Sequence, residues 1–447
     1  MSTRAVLVLA AACVLGGCAD RSTSFDYAPS GRLAQDDTSK SPIKHVVFIV
    51  QENRSFNNLF FGFPGAKTAQ WGLGPKGTKI KIRARDLATS WDLGHASQAF
   101  FAACDGTGKL PGTDCRMDGW SGEGSSGRAP PNPQYSYVPE SQTAPYWAMA
   151  KQYVLADNMF SSNLDGSFVA HQYIVAAYAD RALDFPDGAW GCEGGQDDTV
   201  FTITNRRTSG PRIVTCFDIP TIAAEADAAK IAWRFYAGSI VDDGGLWSSY
   251  QADEPIYDSH DWKEDVVNPG SRFLKDVGKG DLAAITWITP IFSTSDHPGV
   301  DASDGPKWVA SIVDAVGKSK FWGSTAIFLM WDDWGGFYDP VKPVYEDYDG
   351  LGFRVPLIAI SPYAKQGYVT HVQYETASVL RFIEDNFGLA QMANADKRAN
   401  DPATDAFDYS QKPRKFERIP GNEPAAYWSD VERRAALGPP PKILGDD

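Results

Sequence analysis

The apolar run HVVFIV at 45–50 ends in Gln51-Glu52-Asn53, and Asp332 and Asp333 directly follow TAIFLMW at 325–331. Both pairs offer hard oxygen donors, which suit a divalent cation of the Mg, Mn or Ca kind; Zn also accepts carboxylates. Two adjacent carboxylates repel each other unless a cation or a proton neutralises one of them. The plainer alternative for each pair is turn capping, by Glu52-Asn53 after the first run and by Asp332-Asp333 before Gly335-Gly336. A third segment, Asn163-Leu164-Asp165-Gly166-Ser167-Phe168, ends where a helix is expected to begin. The positive end of that helix would face the turn, so Ser167 is a candidate nucleophile toward an anionic phosphorus. Gly-Ser before a helix is also an ordinary cap. Four of the six histidines, His95, His171, His260 and His297, stand in loops or at helix starts beside acidic, Gly or Pro residues. Together they are candidates for a shared pocket, although any one alone is more often a surface or packing residue than a catalyst. His45 opens the first strand and His371 lies in a polar loop.

Groups of this kind need a rigid frame. The run HVVFIV at 45–50 has no polar alternation, as in a parallel strand covered on both faces. Further strands are expected at 231–237, 284–289, 325–331 and 354–361. A helix over 306–319 places Val309, Ile312, Val313 and Val316 on one face, with Pro306 in its first turn. Another over 375–387 aligns Val379, Phe382, Ile383 and Phe387, and residues 170–180 predict a third. Residues 146–158 start with helical spacing and turn polar at Asp157-Asn158. Strands alternating with amphipathic helices imply an α/β fold with a mostly parallel central sheet and helices on both faces. Such sheets hold ligands beyond their strand ends, where both oxygen-bearing pairs fall. Residues 66–150, rich in Gly, Pro, Ser and Trp, read as long loop insertions. The chain after about residue 410 reads as Pro-rich and wrapped over the surface, with a tail at 431–447.

A hydrophobic content of 43% against 22% charged residues excludes a disordered chain, and 447 residues allow one large domain or two smaller ones. A net charge of −14 argues against a nucleic-acid partner and disfavours simple electrostatic adhesion to anionic lipid. The first residues have the form of an export signal: Arg4, then an apolar core from Ala5 to Leu15. Leu15-Gly16-Gly17-Cys18 resembles a bacterial lipobox, in which Cys18 is lipidated; the alternative is an ordinary cleaved signal with an incidental Cys. The expected division is a lipoprotein signal at 1–17, a tether at 18–42, a catalytic domain at 43–430 and the tail. The protein would then sit in the cell envelope, in the periplasm or at the outer membrane through its lipid anchor, or be secreted. Cys104, Cys115, Cys192 and Cys216 remain, an even number suited to disulfides in an exported chain. Short-range pairing, Cys104 with Cys115 and Cys192 with Cys216, is preferred among three possible connectivities.

The ordered blocks HVVFIVQENRSFNNLFFGFPG (45–65), MDGW (117–120), DNMFSSNLDGSF (157–168), CFDIPTI (216–222), SDHP (295–298), WDDWGGFYDPV (331–341), GFRVPLIAISPYAKQGYVTH (352–371) and TASVLRFIEDNFGL (376–389) resemble a bacterial phosphoesterase family. That family contains phospholipases C and a secreted acid phosphatase. The resemblance implies an alkaline-phosphatase-like fold. It also implies Glu52, Asn53, Asp332 and Asp333 as ligands of one divalent metal ion, Ser167 as nucleophile, and His95, His260 and His297 as pocket histidines. The chain departs from the family at three places: Asn57-Asn58 stand where Asp-His is common, Val169-Ala170-His171 where Pro-Asn and then Arg or His is common, and Pro340 where His is usual.

Metal-assisted hydrolysis of a small phosphoester or a phospholipid head group follows as the expected activity, with a histidine, His297 or His260, protonating the leaving alcohol. His171 and Trp334 are candidate substrate contacts, and Trp91, Trp120 and Trp334 could form a cage for a quaternary ammonium. Trp more commonly fills loops. Two other functions stand beside this one: a phosphotransferase or sulfatase-like relative, and a non-catalytic surface lipoprotein that binds a glycan or a partner.

Overall fold

The structure, a computed structural model, describes residues 41–186, 190–238 and 247–437. Cys18 and the expected signal and tether up to residue 40 lie outside the described residues, as does the tail from 438 onward.

Eight strands form the central sheet: β1 (His45–Gln51), β2 (Val154–Ala156), β3 (Trp233–Tyr236), β4 (Val266–Val267), β5 (Ile285–Ile288), β6 (Thr325–Trp331), β7 (Leu357–Ile360) and β8 (Tyr368–Thr370). Their spatial order is β4-β3-β5-β1-β6-β7-β2-β8. Only β7 runs against its neighbours; the other strands are parallel, directly or through β7. Every residue of β6 and all but His45 of β1 are buried, as expected for central strands covered on both faces. Expected strands at 45–50 and 325–331 match closely. Those at 231–237, 284–289 and 354–361 are shorter, and β2, β4 and β8 were not anticipated. β2 is only three residues long and continues a stretch with helical spacing, so its pairing comes from β7 and β8 rather than from its own pattern.

Six helices matter here: α1 (Ser97–Cys104), α2 (Ala144–Gln152), α3 (Ser167–Ala176), α4 (Gly305–Gly317), α5 (Thr376–Phe387) and α6 (Ala425–Ala435). Trp287 of β5 and Phe328 of β6 share a sheet face, because each is in register with Phe48 of β1. On that face the Trp287 indole donates to the Ile174 carbonyl of α3 at 2.9 Å, and Phe328 meets Phe382 of α5. Trp331 points to the opposite face and packs edge-on against Tyr146 of α2 at 4.9 Å. Helices thus cover both faces. Val379, Leu380, Phe382 and Ile383 on α5 are each buried; burying such a side chain is worth about 1.5–3 kcal/mol. Among the described residues, no helix is long and apolar enough to cross a membrane.

The insertion at 66–150 holds short strands and α1, which with Trp334, Phe353 and Tyr338 enclose a second, aromatic core containing Phe100 and Trp120, while α2 packs on the main core. Disulfides join Cys104 to Cys115 and Cys192 to Cys216, the short-range pairing. Helix α6 crosses the expected tail boundary at 430/431; it docks by Trp428, and Glu432 accepts from the Ser271 amide at 2.8 Å.

Candidate active site

β1 and β6 are neighbours in parallel register, with Gln51 beside Trp331. Their ends therefore bring Glu52-Asn53 and Asp332-Asp333 together, although 279 positions separate Asn53 from Asp332. The Asn53 amide donates to Asp332 Oδ1 at 2.9 Å, and the Asp332 amide donates to the Gln51 carbonyl at 3.1 Å. Asn53 has a left-handed backbone, φ 55°. Gly335 packs onto it so closely that an added Cβ would lie 2.0 Å from the Asn53 carbonyl oxygen. Glycine is required there both by this contact and by its φ of 59°. The Asp333 carboxylate takes the Gly335 amide on Oδ1 at 2.7 Å, which aims Oδ2 back toward Asn53.

Helix α3 supplies the third wall. Ser167 stands in its first turn, earlier than the expected start at residue 170, with Gly166 as N-cap. Ser167 and His171 are one helical turn apart and share a face. Ser167 Oγ accepts from Asn53 Nδ2 at 3.1 Å and donates to Asp333 Oδ2 at 3.4 Å. His171 Nε2 lies 3.0 Å from Glu52 Oε1 and 3.9 Å from Asp332 Oδ2. One ligand atom each from Glu52, His171 and Asp332 fall within 4.8 Å of one another. Asp332 Oδ2 is buried and accepts no hydrogen bond. Burial pushes His171 down to about 4, against the pull of Asp332 and the Trp247 backbone, so its imidazole is neutral at pH 7 and offers a lone pair.

His95 joins the Ser167 side. Its Nδ1 donates to the Leu93 carbonyl at 2.7 Å, and its Nε2 accepts from Asn53 Nδ2 at 2.7 Å. The amide of Asn53 is thereby oriented, with its nitrogen toward His95 and Ser167. His297 is the next ring, 5.9 Å from His95 and edge-on. Its Nδ1 lies 2.5 Å from the Pro298 carbonyl and 3.9 Å from Asp92 Oδ2. Asp92 was not singled out from the sequence; it sits on a three-residue strand, Trp91–Leu93, whose pattern gives no sign of a role. His260 is not brought to this cluster: it is exposed and pairs with Glu264 at 3.1 Å. Trp334 is fully buried between Phe100 and Phe353, and Trp120 between Tyr338 and Phe353. These two indoles brace the Asp332-Asp333 loop from behind and form no cage, and Trp91 packs on Phe337. A cavity of about 630 Å³ opens beside His95, lined by Gly94, Ala96, Glu123, Asp184, Phe185 and Phe201 among others. Burial pushes the Glu123 carboxyl well above the usual range, with His95 pulling the other way.

The departures Asn57 and Asn58 are structural braces. Asn57 exchanges hydrogen bonds with Ala69 and donates its amide to Asp339; Asn58 donates to the Ser136 carbonyl at 2.9 Å. Asp339 in turn holds Arg354 at 3.0 Å through both oxygens.

Residues 43–390 match the model of the Phosphoesterase family. The chain belongs to that family. Hemolytic phospholipase C of Pseudomonas aeruginosa is 25% identical to it over 78% of this chain and 53% of the relative. Phospholipase C B of Mycobacterium tuberculosis is 24% identical over 78% of this chain and 74% of the relative. The chain thus spans about half the length of the Pseudomonas relative. Among solved structures, a protein in the alkaline phosphatase superfamily from Vibrio parahaemolyticus is similar with a TM-score of 0.35 and 10% identity, covering 78% of this chain and 67% of that one. Phosphonate monoester hydrolase of Agrobacterium radiobacter is similar with a TM-score of 0.35 and 9% identity, covering 78% of this chain and 74% of that one.

Proposed function

We propose that this family member hydrolyses phosphate esters, of the phospholipase C or phosphatase type, with Ser167 as nucleophile. The observation that carries the reading is the delivery by one helix of Ser167 to Asn53 and Asp333 and of His171 to Glu52 and Asp332. The donor set fits a divalent cation. Two carboxylates face one neutral imidazole, and Asp332 Oδ2 is buried with no hydrogen bond to satisfy it. Glu52, Asn53, Asp332 and Asp333 would hold the ion, with His171 added by the geometry; four oxygen donors favour Mg, Mn or Ca, and the imidazole admits Zn. When bound, such an ion neutralises phosphoryl oxygens and lowers the pKa of a serine hydroxyl.

The chain's own groups do the rest. Asn53 Nδ2 and Asp333 Oδ2 fix the direction of the Ser167 hydroxyl, and the N-terminus of α3 favours the anionic phosphoryl group in front of it. Attack by Oγ, its proton passing to Asp333 Oδ2, forms the serine O–P bond of a phosphoserine as the bond from phosphorus to the ester oxygen breaks. His297, with Asp92 near its Nδ1 to stabilise the imidazolium, gives that oxygen a proton, and His95 keeps the Asn53 amide in register. Water then displaces the phosphoryl group from Ser167. A lipid anchor on Cys18 would hold the enzyme at the cell envelope; palmitate labelling of the wild type but not of Cys18→Ser is its test.

The deciding experiment is Ser167→Ala, assayed on p-nitrophenyl phosphate and p-nitrophenyl phosphocholine with metal measured by plasma mass spectrometry. Hydrolysis of both should vanish while metal content stays near wild type. Full turnover by the variant would overturn the nucleophile assignment.

A further inference from the structure

The chain's charge is −14, yet from Ala66 to Arg85 it carries Lys67, Lys76, Lys79, Lys81, Arg83 and Arg85 and not one Asp or Glu. Most of this stretch is an antiparallel hairpin in which Trp71–Gly74 pairs with Thr78–Lys81; Trp71 lies opposite Lys81 and Leu73 opposite Lys79. Directly opposed residues share a face, as do alternate residues along a strand. One face therefore presents Trp71, Leu73, Lys79 and Lys81. The other is turned toward the protein: a Cβ on Gly72 would meet the Tyr135 ring at 2.3 Å, and Ile80 packs on the second aromatic core. The Tyr135 hydroxyl donates to the Leu73 carbonyl at 2.9 Å, which ties the ribbon down.

The outward face is exposed where it matters. Trp71 keeps 50% of its surface in water, and Lys76, Lys79, Lys81 and Arg83 are all exposed. None of these four cations pairs with a carboxylate among the described residues. Lys76 and Gly77 make the tight turn at the tip, with φ of 57° and 71°. A large indole held out among unpaired cations on a tethered ribbon has the chemistry of a membrane–water interface. There the ring sits at head-group depth and Lys or Arg meets anionic lipid. Charge elsewhere on the molecule is screened beyond about 8 Å at physiological ionic strength, so the local patch governs contact rather than the net −14.

We infer that the hairpin at 71–81 is a docking surface for an anionic lipid bilayer, with Trp71 entering the head-group layer and Lys76, Lys79, Lys81 and Arg83 meeting its negative charge. This surface is independent of the hydrolysis proposed above, and its test needs no turnover.

The full chain is sedimented with vesicles of phosphatidylcholine alone and of phosphatidylcholine with phosphatidylglycerol, at low and at physiological salt. Partitioning onto the anionic vesicles should exceed that onto neutral ones by about tenfold and weaken with salt. A Lys76→Glu/Lys79→Glu/Lys81→Glu variant should lose that preference, and Trp71→Ala should bind both vesicles a few-fold less, with about the area of one ring removed. A lipid anchor would act on both vesicles alike, so the difference isolates the hairpin. Thermal unfolding and hydrolysis of a soluble ester should match wild type in both variants. Equal partitioning onto both vesicles, or an anionic preference that survives charge reversal, would overturn the inference. So would capture on heparin without any vesicle preference, which would assign the patch to an acidic polymer.

Discussion

Asn53, Asp333 and Ser167 make one half of the site, and Glu52, Asp332 and His171 make the other. Each pair of chain neighbours is divided between the halves, and so are the two α3 residues one turn apart. The first half is closed by hydrogen bonds: Asn53 Nδ2 reaches His95 at 2.7 Å and Ser167 at 3.1 Å, and Ser167 reaches Asp333 at 3.4 Å. Its geometry fixes a hydroxyl. The second half is left with charge: two carboxylates face an imidazole that burial keeps neutral, and Asp332 Oδ2 accepts no hydrogen bond. A buried anion of that kind calls for a cation. The same backbone junction thus positions a hydroxyl on one side, where Asn53 and Asp333 are also proposed ligands, and leaves unsatisfied charge on the other.

The division is broken most directly by comparing Ser167→Ala with His171→Ala. The first should lower kcat by about a thousandfold or more with metal retained. The second should weaken metal affinity by about 10–100-fold or more, and added metal should recover turnover. Equal metal loss in both variants would merge the halves into one. A smaller effect is expected at His297. His297→Gln should lower turnover of an alkyl phosphoester by about a hundredfold and barely touch a p-nitrophenyl ester, whose leaving group needs no proton. Equal loss on both esters would remove His297 from the acid's role.

The joint between the halves is sharpened by Gly335→Ala. Its Cβ would fall 2.0 Å from the Asn53 carbonyl oxygen, so a stability loss of at least about 1–3 kcal/mol is expected, read as a lower Tm together with lower turnover. The smallest effect lies outside both halves. Burial raises Asp253 and Asp349 to about 7, so the folded chain holds protons that unfolded carboxyls have released. Their contribution is present at low pH and is lost as pH rises through about 7. His171 acts oppositely, because its folded value near 4 is below its usual 6.5; that contribution is complete above pH 6.5. Between pH 6.5 and 8 the Tm should therefore fall slightly, and Asp253→Asn, which can keep its cap on the Ile256 amide, should flatten the slope.

The runs at 45–50 and 325–331 announced themselves as buried strands because an unbroken apolar run has few other places to go. The amphipathic faces of α4 and α5 were equally clear, whereas four cysteines left three connectivities open and the structure shows the short-range one. The candidate ligands Glu52, Asn53, Asp332 and Asp333 were legible because they follow those runs. The sequence did not show that β1 and β6 would lie side by side, which is what joins the two pairs. Nor did it separate His171, which faces Glu52, from His260, which faces water: both are histidines beside helical segments, and only packing tells them apart. Asp92 and the strand Val154–Ala156 were silent for a related reason, since three-residue strands take their place from partners distant in the chain. Trp334 lay next to the acidic pair in sequence and yet went to the core, where its ring area is better buried than exposed. The sequence by itself marked most of the side chains proposed for the chemistry and where the sheet would end beneath them. The tertiary structure decided which of them meet, because register between strands and the turn of one helix are set by contacts far apart along the chain.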